Sequence, residues 1–136
     1  MSSRSITKKS IDRTVAVNSL FPLKYLLTII MTVIILVAIS WPGSHLPDIK
    51  IVGFDKIAHF CIFLAWTVAV VHDFNAKWYI ALAAALLLAL LTEVIQLKVE
   101  GRTFDLYDLL ADAIGATVGL ACSAFIIRIT RKVLRR

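Results

Sequence analysis

The sequence predicts an all-α fold, an integral membrane four-helix bundle with both the N terminus and the C terminus in the cytoplasm. Of its 136 residues, 60% are hydrophobic, and the mean hydropathy of +0.85 is well above that of an ordinary water-soluble domain. The hydrophobic residues fall into four long segments, and the Lys and Arg residues are divided unequally among the connections. The first observation indicates a lipid environment, and the other two give the number of spans and their orientation.

Four apolar segments define the predicted spans. Each approaches the roughly 20 residues that cross a bilayer about 30 Å thick, and the second is the shortest. They are residues 23–41, 57–71, 78–97 and 106–127. In lipid they must be helices, because an open strand would leave its backbone groups unpaired. The first segment is longer than the core of a usual signal peptide, so we interpret it as a retained span.

The connections between the segments predict how the helices are arranged. The turn at residues 73–77 is so short that the second and third spans are expected to be antiparallel neighbours. With four spans, this turn lies on the same side of the membrane as the N-terminal arm and the C-terminal tail. The loops at residues 42–53 and 98–105 lie on the other side.

The basic residues predict which side of the membrane faces the cytoplasm. Eleven lie on the side of the termini: Arg4, Lys8, Lys9, Arg13, Lys24, Lys77, Arg128, Arg131, Lys132, Arg135 and Arg136. Four lie on the other side: Lys50, Lys56, Lys98 and Arg102. By the positive-inside rule the termini are cytoplasmic, which predicts a multi-pass membrane protein. Its parts are a basic arm (1–20), a four-span membrane domain (21–128) and a basic tail (129–136).

The net charge of +6 does not indicate a nucleic-acid partner. The basic residues flank apolar segments at the two ends of the chain, and no aromatic residues alternate with them in the manner of a nucleic-acid-binding surface. Cys61 and Cys122 both lie inside apolar segments, where packing as small hydrophobic residues is the simpler interpretation than a disulfide or a metal site.

Ionisable residues gather at the predicted outer ends of the second and third spans. Asp55 and His59 are four residues apart and share a helix face, with Asp55 as a candidate helix cap and His59 as an interfacial side chain on the simplest interpretation. Glu93 and Gln96 share a face at the end of the third span. A carboxylate at the depth of Glu93 is costly unless it is paired or protonated. Its expected partners are His59, Lys56 and Arg102, and a purely structural bond between helices is the alternative.

The fourth span begins with three acidic residues followed by two glycines. Asp105 is a candidate N-cap, and Asp108 suits the positive first turn of a helix. Asp112 lies a turn deeper, on the same face as Gly115 and Gly119. The Gly-x-x-x-Gly spacing allows another helix to approach closely, which would turn this face toward the bundle interior. The three spans together therefore predict a shallow polar pocket near the outer surface.

These motifs, in this order, resemble the VanZ-like family. The residues that carry the resemblance are Asp55, Lys56, His59, Phe60, Glu93, Gln96, Gly101, Arg102, Asp108, Gly115 and Gly119. The resemblance covers about residues 40–120 and leaves the arm and the tail outside. This chain has Asp112 where many members have Asn, which adds an ionisable group. The family comprises small bacterial membrane proteins and takes its name from a member associated with low-level resistance to teicoplanin, so it implies a role in the cell envelope without a settled reaction.

The leading hypothesis is a membrane protein that binds or modifies an envelope lipid or lipid-linked glycan at the extracytoplasmic face. The candidate catalytic residues are His59, Glu93, Arg102 and Asp108, with His59 and Glu93 as acid-base or ligand groups and Arg102 holding an anionic head group. The candidate substrate-binding residues are Asp55, Lys56, Gln96 and Asp112. Gly115 and Gly119 are assigned to helix packing.

The charge of the predicted pocket limits what it can bind. Five carboxylates, at Asp55, Glu93, Asp105, Asp108 and Asp112, outnumber two cationic side chains, so a phosphate would be repelled. Either some carboxylates are protonated, or a divalent cation such as Mg²⁺ or Zn²⁺ bridges them, or the bound group is neutral or cationic. Whether the chain is an enzyme stays open, because a non-catalytic scaffold or accessory protein and a small transporter are the alternatives.

Overall fold

A computed structural model describes residues 24–40 and 53–135 of the chain. In this part it contains four α-helices and no strand: α1 (Leu26–Ser40), α2 (Phe54–Phe74), α3 (Trp78–Gln96) and α4 (Leu106–Leu134). The predicted all-α fold is therefore confirmed. By length and composition, α2, α3 and α4 are candidates to cross a membrane, whereas α1 is apolar but has 15 residues. The predicted ends of the first span, Leu23 and Trp41, lie outside the described residues.

Two helices are longer than the apolar segments that predicted them. The second span, predicted as residues 57–71, is a helix of 21 residues, and the fourth continues from Ile127 to Leu134. Asp73, predicted to lie in the turn, belongs to α2, which ends in Asn75 at a left-handed φ of 50°. Hydropathy marks the part of a helix that lies in lipid, and polar residues with bonding partners can prolong the helix beyond it.

The closest approach in the bundle is between α2 and α4. A methyl group on Gly115 would overlap the backbone carbonyl of Phe60, and one on Gly119 would lie 2.7 Å from the carbonyl oxygen of Leu64. The two glycines therefore lie where α4 approaches the backbone of α2. Helix α3 presents a buried stripe of alanines at every fourth position, Ala81, Ala85 and Ala89, to the same core.

Polar side chains join α1 to α2, and the Asp73 contact lies at the end of the bundle away from Asp108 and Asp112. The indole Nε1 of Trp66 donates to Thr32 Oγ1 at 2.9 Å. The buried Asp73 carboxylate accepts from both the backbone N–H and the hydroxyl of Thr28, at 2.8 and 2.9 Å. The N–H of Thr28 belongs to the first turn of α1 and has no partner within that helix, so Asp73 caps α1 from a neighbouring helix.

Candidate functional site

All eight residues predicted as catalytic or substrate-binding lie at one end of the bundle. This end is formed by the first turns of α2, the last turns of α3, the loop at residues 97–105 and the first turns of α4. Because α2 and α4 start here and α3 ends here, short connections bring side chains from three helices to the same level. The eight residues are Asp55, Lys56, His59, Glu93, Gln96, Arg102, Asp108 and Asp112.

Lys56 joins α2 to the start of α4. Its Nζ donates to Asp105 Oδ2 at 2.6 Å and to Asp108 Oδ1 at 2.7 Å. The hydrogen bond from Lys56 lowers the pKa of Asp105, so this carboxylate stays charged. Asp105 also accepts from the backbone N–H of Tyr107 at 2.8 Å, which confirms it as the N-cap of α4. Asp108 is buried, with 5% of its surface exposed, so Lys56 supplies the charge that offsets its burial.

His59 lies between two carboxylates of α4. Its Nδ1 is 3.0 Å from Oδ1 of Asp112, at hydrogen-bond distance, and its Nε2 is 3.9 Å from Oδ2 of Asp108. Asp112 is 0% exposed, and its second oxygen, Oδ2, has no hydrogen-bond partner in the part of the chain that the structure describes. The imidazole can therefore exchange a proton with Asp112.

Glu93 is also 0% exposed, but its partner is not one of the three side chains expected for it. The backbone N–H of Asp105 donates to Glu93 Oε2 at 3.0 Å. Of the three expected partners, His59 lies near Glu93, with ligand atoms within 4.8 Å, but the hydrogen bond comes from the amide that the turn before α4 brings to the carboxylate. Among the described residues, Oε1 of Glu93 has no hydrogen-bond partner.

Arg102 and Asp55 form the outer part of the site. Arg102 Nη1 lies 3.8 Å from Asp55 Oδ1, and the arginine side chain is largely buried, with 15% exposed. Its Nε has no hydrogen-bond partner among the described residues. Asp55 does not cap α2, because the cap position is Gly53, at a φ of 84° and without a side-chain hydrogen bond. Gln96 is buried at the end of α3, level with Glu93.

These contacts change the predicted charge of the site. Lys56 forms ion pairs with Asp105 and Asp108, and Arg102 lies beside Asp55. The excess of negative charge is therefore not spread through an open pocket. Among the residues that the structure describes, the charge without a Lys or Arg partner is concentrated on Glu93 and Asp112, which are both 0% exposed.

Sequence analysis missed the polar group at the other end of the bundle. Asp73, Thr28 and His72 meet there, with His72 Nδ1 3.1 Å from Asp73 Oδ1. Beside them is a groove of about 350 Å³ lined by Lys24, Leu26, Leu27, Ile30, His72 and Asp73. The signal that could have found this group is an acidic residue at the end of an apolar span, with Thr28 and Thr32 on one face of a neighbouring apolar helix.

A comparison with protein-family models decides the family. The model described as VanZ/LLP1 matches residues 1–128. The chain belongs to the VanZ/LLP1 family. This match extends to the start of the chain, so the expectation that the N-terminal arm lies outside the family is wrong, and the residues after 128 remain outside. Comparisons of this VanZ-like chain with curated proteins and with solved structures gave no match.

Proposed function

We propose that this VanZ-like protein binds an envelope lipid or a lipid-linked glycan at the extracytoplasmic face of the bacterial cytoplasmic membrane. The observation that supports this most is the position of the buried His59–Asp112–Glu93 group beside exposed apolar surface at one end of the bundle. The exposed apolar residues at this level are Phe54, Ile57, Leu97, Phe104, Leu106 and Tyr107. An acyl or prenyl chain could lie on this surface while its head group reaches the polar side chains.

The proposed orientation follows from the basic residues at the other end of the helices. Within the described residues, those at the ends away from the site are Lys24, Lys77, Arg128, Arg131, Lys132 and Arg135. Those at the site end are Lys56, Lys98 and Arg102, of which Lys56 and Arg102 lie beside carboxylates. The positive-inside rule then puts the site outside and both termini in the cytoplasm.

The chemistry of the site favours a head group with hydroxyl or amine donors. Within residues 24–40 and 53–135, Glu93 and Asp112 each have one carboxylate oxygen without a hydrogen-bond partner, and such an oxygen accepts hydrogen bonds and cannot donate them when ionised. In the same part of the chain, the Nε–H of Arg102 has no partner and could donate to a phosphate oxygen. A lipid-linked glycan carries both kinds of group. If the bound molecule is also modified, His59 and Glu93 are the acid-base groups, and Asp108 lies within 3.9 Å of the imidazole.

Variants of the site test this proposal in cells. His59→Ala, Glu93→Gln, Arg102→Ala and Asp108→Asn are produced at matched membrane levels, and envelope-lipid composition and teicoplanin susceptibility are measured. We expect each variant to behave like cells without the protein. Lys98→Ala and Glu100→Gln alter exposed residues of the same loop and are expected to keep the wild-type phenotype.

A non-catalytic scaffold is the second candidate, and one observation favours it. The bonds from Lys56 to Asp105 and Asp108 hold α2 against α4 and would exist in a protein without a ligand. Thermal unfolding of the purified variants separates the two functions. Normal unfolding temperatures with a lost phenotype support the binding site. If every variant loses stability in proportion to its phenotype, the proposal is wrong and the cluster is a scaffold.

A further inference from the structure

Two buried carboxylates in the site lack the partners that their burial requires. Glu93 and Asp112 are both fully buried, and Oε1 of the first and Oδ2 of the second have no hydrogen-bond partner among the described residues. An ionised carboxylate away from water costs several kcal/mol unless a cation or hydrogen bonds offset it. Both cationic side chains nearby, Lys56 and Arg102, lie against other carboxylates.

The imidazole of His59 completes a compact set of three possible ligands. One ligand atom from each of His59, Glu93 and Asp112 lies within 4.8 Å of those of the other two. Two ligands of a tetrahedral ion with bonds near 2.1 Å are about 3.4 Å apart, so no pair of these atoms would have to close by more than about 1.4 Å. The imidazole Nδ1 and Asp112 Oδ1 are already 3.0 Å apart.

We propose that His59, Glu93 and Asp112 bind one divalent transition-metal ion of the Zn²⁺ type. Two carboxylates and a neutral imidazole around such an ion give zero net charge, which removes the cost of burying both acids. An imidazole ligand and a set of only three protein ligands favour Zn²⁺ over Mg²⁺ or Ca²⁺, which take mainly oxygen ligands in larger number. The Asp105 N–H holds Glu93 Oε2 and leaves Oε1 for the ion, as outer hydrogen bonds do in metal sites.

A neighbouring set of residues fits the ion less well. Asp55, His59 and Asp108 also have ligand atoms within 4.8 Å of one another. However, Asp108 is already bonded to Lys56, and the side chain of Asp55 is 49% exposed beside Arg102. Their charges are therefore offset by Lys56 and Arg102, whereas Glu93 and Asp112 have only the His59 imidazole close to both of them among the described residues.

Zinc titration of the full chain tests the site. The tag-free protein is purified in detergent, stripped with a chelator and titrated with ZnCl₂ by calorimetry, with thermal unfolding followed in parallel. We expect one Zn²⁺ per chain and a higher unfolding temperature. Glu93→Gln and Asp112→Asn should each weaken binding by about 100-fold or more. Glu100→Gln, an exposed change in the adjoining loop, should bind like the wild type.

Further measurements decide between this set and other ligands. Asp55→Asn should keep the zinc affinity of the wild type. Circular dichroism should show that Glu93→Gln and Asp112→Asn remain helical without metal. Zinc-edge X-ray absorption of the wild type should show nitrogen and oxygen ligands and no sulfur from Cys61 or Cys122. Absence of zinc binding by the wild type, sulfur ligation, or loss of binding in Asp55→Asn would overturn the proposal. Because no lipid takes part in these measurements, a failure to bind zinc leaves the proposed head-group binding untouched, and a failure of head-group binding does not affect the zinc result. If zinc binds, His59, Glu93 and Asp112 would hold the ion, and a head group would meet the ion's open coordination position instead of these side chains.

Discussion

At the residue scale, Lys56 has a larger role than its position in the sequence suggests. One ammonium group donates to two carboxylates of α4, and one of these, Asp108, is almost fully buried. Lys56 is itself partly exposed, with 36% of its side chain accessible, while the Asp108 carboxylate lies in the interior. The bond to Asp108 is therefore worth more than a surface ion pair.

Removal of the Lys56 charge should destabilise the bundle. Lys56→Met keeps the length of the aliphatic chain but leaves Asp108 buried without a cation, which we expect to cost about 2 kcal/mol. Thermal or denaturant unfolding in detergent measures the change.

The matched control is Lys98→Met, which alters an exposed lysine of the nearby loop and should be neutral. The double variant Lys56→Met with Asp108→Asn should recover part of the loss, because the uncompensated charge is gone. Equal stability of Lys56→Met and the wild type would show that this ion pair contributes nothing.

At the element scale, the packing of α2 against α4 depends on two glycines. An added methyl group at Gly115 or Gly119 meets backbone carbonyls of α2, which cannot rotate away as a side chain can. This contact explains why the acidic face of α4 lies against His59, since Asp108 and Asp112 precede the glycines on the same helix face.

Gly115→Ala should separate the two helices. Helix propensity alone would make the alanine more stable by about 1 kcal/mol, so a net loss would reveal the steric conflict. We expect a loss of about 3 kcal/mol for Gly115→Ala and a smaller one for Gly119→Ala, measured by unfolding in detergent.

Ala124→Leu provides the comparison, because it adds volume on an exposed part of the same helix and should have little effect. If Gly115→Ala were more stable than the wild type, the close approach of α2 and α4 would be wrong.

The sequence predicted the existence of the helices better than their ends or their contacts. Apolar length identified all four helices, but it ended the second span at Val71, whereas α2 continues to Phe74 and includes Asp73, which is bonded to Thr28 of α1. The N–H of Asp105 as the partner of Glu93 could not be predicted, because the backbone path of a loop leaves no periodic signal. Residue types showed that Glu93 needed a partner without showing which one.

At the scale of the whole molecule, the orientation in the membrane is the prediction with the widest consequences. It puts the candidate site outside the cell and the basic end of α4 in the cytoplasm. Single cysteines in a Cys61→Ala, Cys122→Ala background can test it with a membrane-impermeant maleimide. Glu100→Cys should react in intact cells, and Val133→Cys should react only after the membrane is permeabilised. The opposite labelling pattern would reverse the topology and contradict the proposed extracytoplasmic site.

The length of α4 has a consequence for the depth of the candidate site. Its 29 residues extend about 43 Å, more than the roughly 30 Å of a bilayer interior, and Asp112 and Arg131 lie on the same continuous rod. Arginine side chains near one end of a membrane helix bind the phosphate groups of lipids, which holds that end at a fixed depth in the membrane. The length of α4 then sets how far below the opposite membrane surface Asp112 lies. A tilt of the helix imposed at the arginines therefore also changes the depth of its acidic end.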